Sequence, residues 1–153
     1  MTSLIIGRLR AVRLSQFSCA NIRYRQKKSK ENTVLKLCLK KVFVIKDKTL
    51  VGLTNFGKTL ESIVIPKRVK GIGEKAFKDC EIVKTIKIPK GAQYIDDCAF
   101  EGCFNLTSIN IPDTVTHIGF EAFYDCENLT SITIPVSVKT IDSWTFQGCS
   151  NLT

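Results

Sequence analysis

The sequence predicts an α/β repeat solenoid: stacked coils with a parallel β-sheet on the concave face and short helices or turns on the convex face. Three observations predict it. All four prolines, Pro66, Pro89, Pro112 and Pro135, stand 23 residues apart. Four phenylalanines (Phe77, Phe100, Phe123, Phe146) and four of the seven cysteines (Cys80, Cys103, Cys126, Cys149) keep the same step. Within each unit the apolar period changes once, from two residues to a helix-like spacing. A fixed period of this length marks units that cannot bury an apolar face singly and build a continuous core by stacking.

Before the repeats, residues 1–59 carry 14 Lys/Arg against 2 Asp/Glu, net +12, whereas residues 60–153 carry 9 against 12, net −3. The basic character therefore belongs to the N-terminal third. Residues 1–37 read as a disordered basic arm or a mis-predicted start; their arginines, Ser3, Ser15 and Ser18 also resemble an organelle transit segment. The apolar run Leu4-Ile5-Ile6, broken by Arg8, Arg10 and Arg13, is too short for a secretory signal. No stretch reaches the roughly 18 apolar residues of a membrane-spanning helix, so the default location is cytoplasmic. Residues 38–59 read as an N-terminal cap, with a strand–turn–strand over 43–50.

Residues 60–153 form four 23-residue coils. The first half of each reads as a short strand: Ile109 and Ile111 point one way and Ser108 and Asn110 the other. Proline then ends the strand, having no N–H for a ladder. The second half reads as a helix of about two turns or a tight turn, because Ile118, Ala122, Phe123 and Cys126 share one helical face. Asp96 and Asp142 stand at the N-cap position, where Gly73 and Gly119 are tolerated. The predicted core comprises Ile72, Phe77 and Cys80, then Ile95, Phe100 and Cys103, then Ile118, Phe123 and Cys126, then Ile141, Phe146 and Cys149.

The segments L-T-S-I-x-I-P (Leu106 to Pro112, Leu129 to Pro135) and I-x-x-x-A-F-x-x-C (Ile95 to Cys103, Ile118 to Cys126) resemble the BspA-type, or Treponema-type, leucine-rich repeat. Val83, Ala92 and Thr145 depart from the pattern in place of Leu, Val and Ala. The resemblance implies a non-enzymatic leucine-rich-repeat protein-interaction module of the surface antigen or adhesin type. Its implied partner is a host or matrix protein or a glycan, and its implied location the cell surface. An intracellular scaffold or regulatory protein is the alternative.

The candidate binding face is the outward side of the strands: Lys84, Thr85 and Lys87, then Thr107, Ser108 and Asn110, then Thr130, Ser131 and Thr133, with Glu61, Ser62 and Val64 in the first coil. Cysteines repeated in a column suit core packing better than disulfides, which need converging Cβ vectors, or zinc, which needs four ligands at one point. Cys19, Cys38 and Cys98 stand outside the column. The sequons at Asn105, Asn128 and Asn151 fall on the repeat period, so Asn-Leu-Thr reads as coil consensus before it reads as a glycosylation signal. Nothing suggests catalysis, a metal, a cofactor or a small-molecule substrate. His117 is the only histidine, Asp96-Asp97 reads as a solvated turn, and Gly71-Ile72-Gly73 lies inside the repeat. Tyr24 is the only aromatic in the densest basic run, which argues against base stacking on nucleic acid; an anionic membrane contact there rests on charge alone. Asn151-Leu152-Thr153 repeats Asn128-Leu129-Thr130, so self-association is expected at an uncapped last coil.

Overall fold

The computed structural model describes residues 41–153. The expected basic arm over 1–37, and Cys19 and Cys38, lie outside the described residues. The described chain opens with an antiparallel hairpin of β1 (Phe43–Lys46) and β2 (Thr49–Leu53). Asp47 and Lys48, at φ 44° and 65°, turn it with both central residues left-handed, the conformation that matches strand twist in a two-residue hairpin loop.

Each coil then contributes its first strand to one parallel sheet: β3 (Ser62–Val64), β5 (Thr85–Lys87), β7 (Ser108–Asn110) and β9 (Ser131–Thr133), in that spatial order. Pairing runs at the 23-residue step, with Ile63 opposite Ile86, Ile86 opposite Ile109 and Ile109 opposite Ile132. The centre of each strand thus points inward and its two neighbours outward. After the proline turn the chain forms a second, two-residue strand: β4 (Gly71–Ile72), β6 (Tyr94–Ile95) and β8 (His117–Ile118). These pair in parallel and continue from β2, giving a five-stranded sheet of order β1-β2-β4-β6-β8. Tyr94 ties the hairpin to the coils. Its ring lies against Gly71, where a Cβ would collide with it, and its hydroxyl is 2.6 Å from Thr49 Oγ1.

The helix-like spacing in the second half of the coil does not produce a helix in residues 60–153. Lys75, Cys98 and Glu121 sit at φ 53–54°, and Asp79, Gly102, Asp125 and Gly148 at 54–79°. A right-handed helix excludes such angles. The backbone instead divides its hydrogen bonds between two coils. Ala76, Lys78 and Cys80 N–H donate three residues back, to Gly73, Lys75 and Phe77 carbonyls. The alternate amides of Lys75, Phe77 and Asp79 donate to Asp97, Ala99 and Glu101 of the next coil. Cys98, Phe100 and Gly102 repeat this toward Phe120, Ala122 and Tyr124. The turns are therefore a third inter-coil ladder, and in each of the first three coils the alanine, the phenylalanine and the cysteine stay buried. Asp96 caps no helix: its Oδ1 accepts the Asp97 amide at 3.0 Å, and Asp97 Oδ1 accepts Phe120 N–H of the next coil at 2.8 Å.

The core is a set of columns. Phe77, Phe100 and Phe123 are wholly buried, and Phe77, Phe100, Phe123 and Phe146 stack with centroids 5.0, 5.1 and 5.4 Å apart, close to the strand repeat of about 4.8 Å. Ile72, Ile95 and Ile118 form a second buried column, and Cys80, Cys103 and Cys126 a third. Ile141 does not join the core; it is 41% exposed. In the fourth coil the segment equivalent to β8 forms no strand, so no ladder holds Ile141 in its layer. Phe146 and Cys149 are only partly buried, because no described coil covers their outer side. Thr145 is fully buried where earlier coils carry alanine, and its hydroxyl reaches the Gly119 carbonyl at 3.5 Å.

Phe100, stacked on both sides, carries more of the core than Phe146, stacked on one. We predict that Phe100→Ala lowers unfolding free energy by about 3–5 kcal/mol and Phe146→Ala by clearly less. Urea unfolding measures both; equal losses would contradict the stacking order.

Candidate functional site

Period-two geometry decides which side chains reach the outer face of the four-stranded sheet. Lys84, Thr85, Lys87, Thr107, Ser108, Asn110, Thr130, Ser131 and Thr133 are all exposed there. They do not all have free polar groups. Thr107 Oγ1 donates to the Lys84 carbonyl at 3.1 Å and Thr130 Oγ1 to the Thr107 carbonyl at 3.3 Å, tying each coil to the one before. Thr85 Oγ1 donates to Ser62 Oγ at 2.8 Å, and Lys84 Nζ pairs with Glu61 at 3.2 Å. Ser108, Asn110, Ser131, Thr133 and Lys87 make no side-chain hydrogen bond among the described residues. A shallow groove of about 560 Å³ crosses β3, β5 and β7, floored by the strand backbone at Ile63 and Ile86, whose side chains are buried in the core. Ser62, Val64, Thr85, Lys87, Ser108 and Asn110 line it, and Lys90 enters from the turn after Pro89. Spacing gives no sign of Lys90, because its equivalents in the other coils are Lys67, Asp113 and Val136.

The sequon asparagines have structural work. Asn105, Asn128 and Asn151 Nδ2 donate to the Glu81, Phe104 and Glu127 carbonyls of the preceding coil at 2.7–2.8 Å. Both ends of Asn-Leu-Thr thus serve the inter-coil ladder, which accounts for its recurrence without a glycan.

The cysteine column carries free thiols. Cys103, Cys126 and Cys149 Sγ lie 3.1–3.2 Å from the Phe77, Phe100 and Phe123 carbonyls and donate to them. Burial pushes the Cys80 thiol up to about 11 and those of Cys103 and Cys126 well above the usual range. Such thiols are protonated and unreactive at neutral pH.

Outside the column, Cys98, Glu101 and Glu121 bring one sulfur and two carboxylates within 4.8 Å of one another. The cluster comes from residues three and 23 positions apart, and only the coil stack brings them together. Its charges are already answered: Lys78 Nζ bonds both Glu101 oxygens at 2.7 and 2.8 Å, and Cys98 Sγ donates to Glu121 at 3.6 Å. Burial, then Glu101 and Glu121, push the Cys98 thiol up to about 11.

A family profile, the BspA type leucine rich repeat region, matches residues 54–153 in 6 copies. The chain belongs to that family. A comparison with curated protein sequences finds no match. Among solved structures the BspA-type chain is similar to a leucine-rich repeat protein from Bacteroides capillosus, with 28% identity, a TM-score of 0.63, and coverage of 72% of this chain and 88% of that one. A leucine rich repeat protein from T. pallidum shares the fold at 24% identity and a TM-score of 0.61, over 74% of this chain and 67% of that one. A leucine rich cell surface protein from Faecalibacterium prausnitzii matches at 28% identity and a TM-score of 0.50, over 69% of this chain and only 34% of its own length. Among the described residues, no helix of this BspA-type protein is long and apolar enough to cross a membrane.

The thiols set a sign for alkaline stability. Their folded pKa values lie above the ordinary 9.0. The unfolded chain therefore releases these protons first, and stability present below about pH 9 falls as pH rises toward 11 and beyond. We predict a melting temperature that drops over this interval and drops less steeply in Cys126→Ala; identical slopes would contradict it. Asn128→Ala is expected to cost about 1 kcal/mol in urea unfolding, and a neutral change would show that the asparagine ladder carries no load.

Proposed function

We propose that this chain is a non-enzymatic protein-interaction module that binds through the outer face of the four-stranded sheet, in the manner of a surface adhesin or antigen. The observation that carries the proposal is the division of labour across that sheet. Inward positions are spent on the core and the Thr107 and Thr130 hydroxyls on the ladder. What remains is a groove edged by Lys87, Asn110 and Ser108 with unengaged polar groups. Family membership supports a binding role, since repeat solenoids commonly bind through an extended sheet surface. The similarity to a protein described as a leucine rich cell surface protein supports the location. The partner is then a host or matrix protein or a glycan.

An intracellular scaffold using the same face is the second reading, favoured by five free cysteines in the described residues, as expected of a reducing compartment.

Two measurements test this. Protease added to intact cells of the source organism should cleave the protein; full protection would overturn the surface role and leave the scaffold. Ser108→Trp with Ser131→Trp should abolish partner cross-linking while leaving the melting curve nearly unchanged. Undiminished cross-linking would show that binding uses another face.

A further inference from the structure

The charge of the repeats is sorted by position within the coil. The strand-and-turn halves (60–72, 83–95, 106–118 and 129–141) carry seven Lys/Arg against two Asp/Glu. The remaining halves, which form the third ladder, carry two against ten. The near-neutral sum of the repeats conceals two faces of opposite sign. The basic residues concentrate further in the first two coils, as Lys67, Arg68, Lys70, Lys84, Lys87 and Lys90, all exposed. Glu61 is the only acid in those two segments, and Lys84 already pairs with it. Lys87 and Lys90 edge the groove and form no ion pair among the described residues.

We infer that the groove over β3 and β5 is the seat of an acidic polypeptide segment, with its carboxylates on Lys87 and Lys90 and an apolar side chain on Val64. This rests on the reading that this face binds a partner, and it adds the partner's chemistry. Charge complementarity fixes the sign of the occupant. Val64, 49% exposed on the edge strand β3 and opposite Lys87 in the register, selects a chain that offers apolar side chains as well as anions. A sulfated glycan brings anions but nothing to cover Val64. The chain's own N-terminal segment is the wrong sign, with ten Lys/Arg against one acid over residues 1–40.

The test uses the full chain and a fluorescein-labelled peptide of alternating Glu and Val, read by anisotropy at about 0.15 M salt, where distant charges are screened. K87E/K90E should weaken binding by about tenfold or more, since it sets like charge against like. K27E/K28E makes the same change in net charge outside the repeats and should weaken it by less than about twofold. Equal losses in the two variants would reduce the effect to bulk electrostatics and overturn the inference. So would a heparin oligosaccharide that binds more tightly with the same dependence on Lys87 and Lys90. A concentration-dependent dimer abolished by K87E/K90E would likewise overturn it, by making the acidic face of a second copy the occupant. If Ser108→Trp with Ser131→Trp blocks the peptide while K87E/K90E does not, the binding face stands and its acidic partner falls. If neither variant affects binding, both fall. Unchanged melting temperatures in all variants keep the comparison free of misfolding.

Discussion

The coils hold together because the backbone returns to the same hydrogen-bonding register every 23 residues, and the rest of the structure depends on that return. Three ladders enforce it: the strand sheet, the two-residue strands that extend the hairpin, and the alternate amides of the turns. Once a residue is fixed opposite its equivalent, side chains of one kind must stack in a column. That is why phenylalanine falls on phenylalanine, cysteine on cysteine and asparagine on a carbonyl one coil back. Backbone groups buried in a stack need partners, and here the neighbouring coil supplies them.

The same constraint explains what the sequence makes legible. The prolines, the strand isoleucines and the phenylalanine column each leave a mark at every repeat, so the solenoid and most of its core can be read from spacing. The turns cannot. Ile118, Ala122 and Phe123 have the spacing of a helical face, but the spacing is silent on where alternate amides point, and left-handed residues such as Lys75 and Glu121 carry no compositional warning. Two-residue strands such as β6 are too short for an alternation to appear. Ile141 matches its repeat in sequence and departs from it in place, because burial there depends on the pairing of β8 with a fourth strand that does not form.

The candidate face was legible in part. Outward strand positions follow from period two, but periodicity treats Thr107 and Ser108 alike, and only the structure shows that the first is tied to the preceding coil while the second is free. Lys90 and the Cys98–Glu101–Glu121 group break the repeat pattern and so leave no periodic signal. Charge behaves likewise: summed over the repeats it looks mildly acidic, and divided by position in the coil it separates basic strand-and-turn halves from acidic remaining halves. The part of the surface that departs from repetition is the part that can distinguish one partner from another.

Native-state amide hydrogen exchange tests the third ladder most directly. The Phe77, Phe100 and Phe123 amides, which cross to the next coil, should exchange only through global unfolding. The neighbouring Lys78, Glu101 and Tyr124 amides, bonded three residues back within their own turns, should exchange faster through local opening. Phe100 exchanging as fast as Tyr124 would contradict a stack held by its turns as well as its strands.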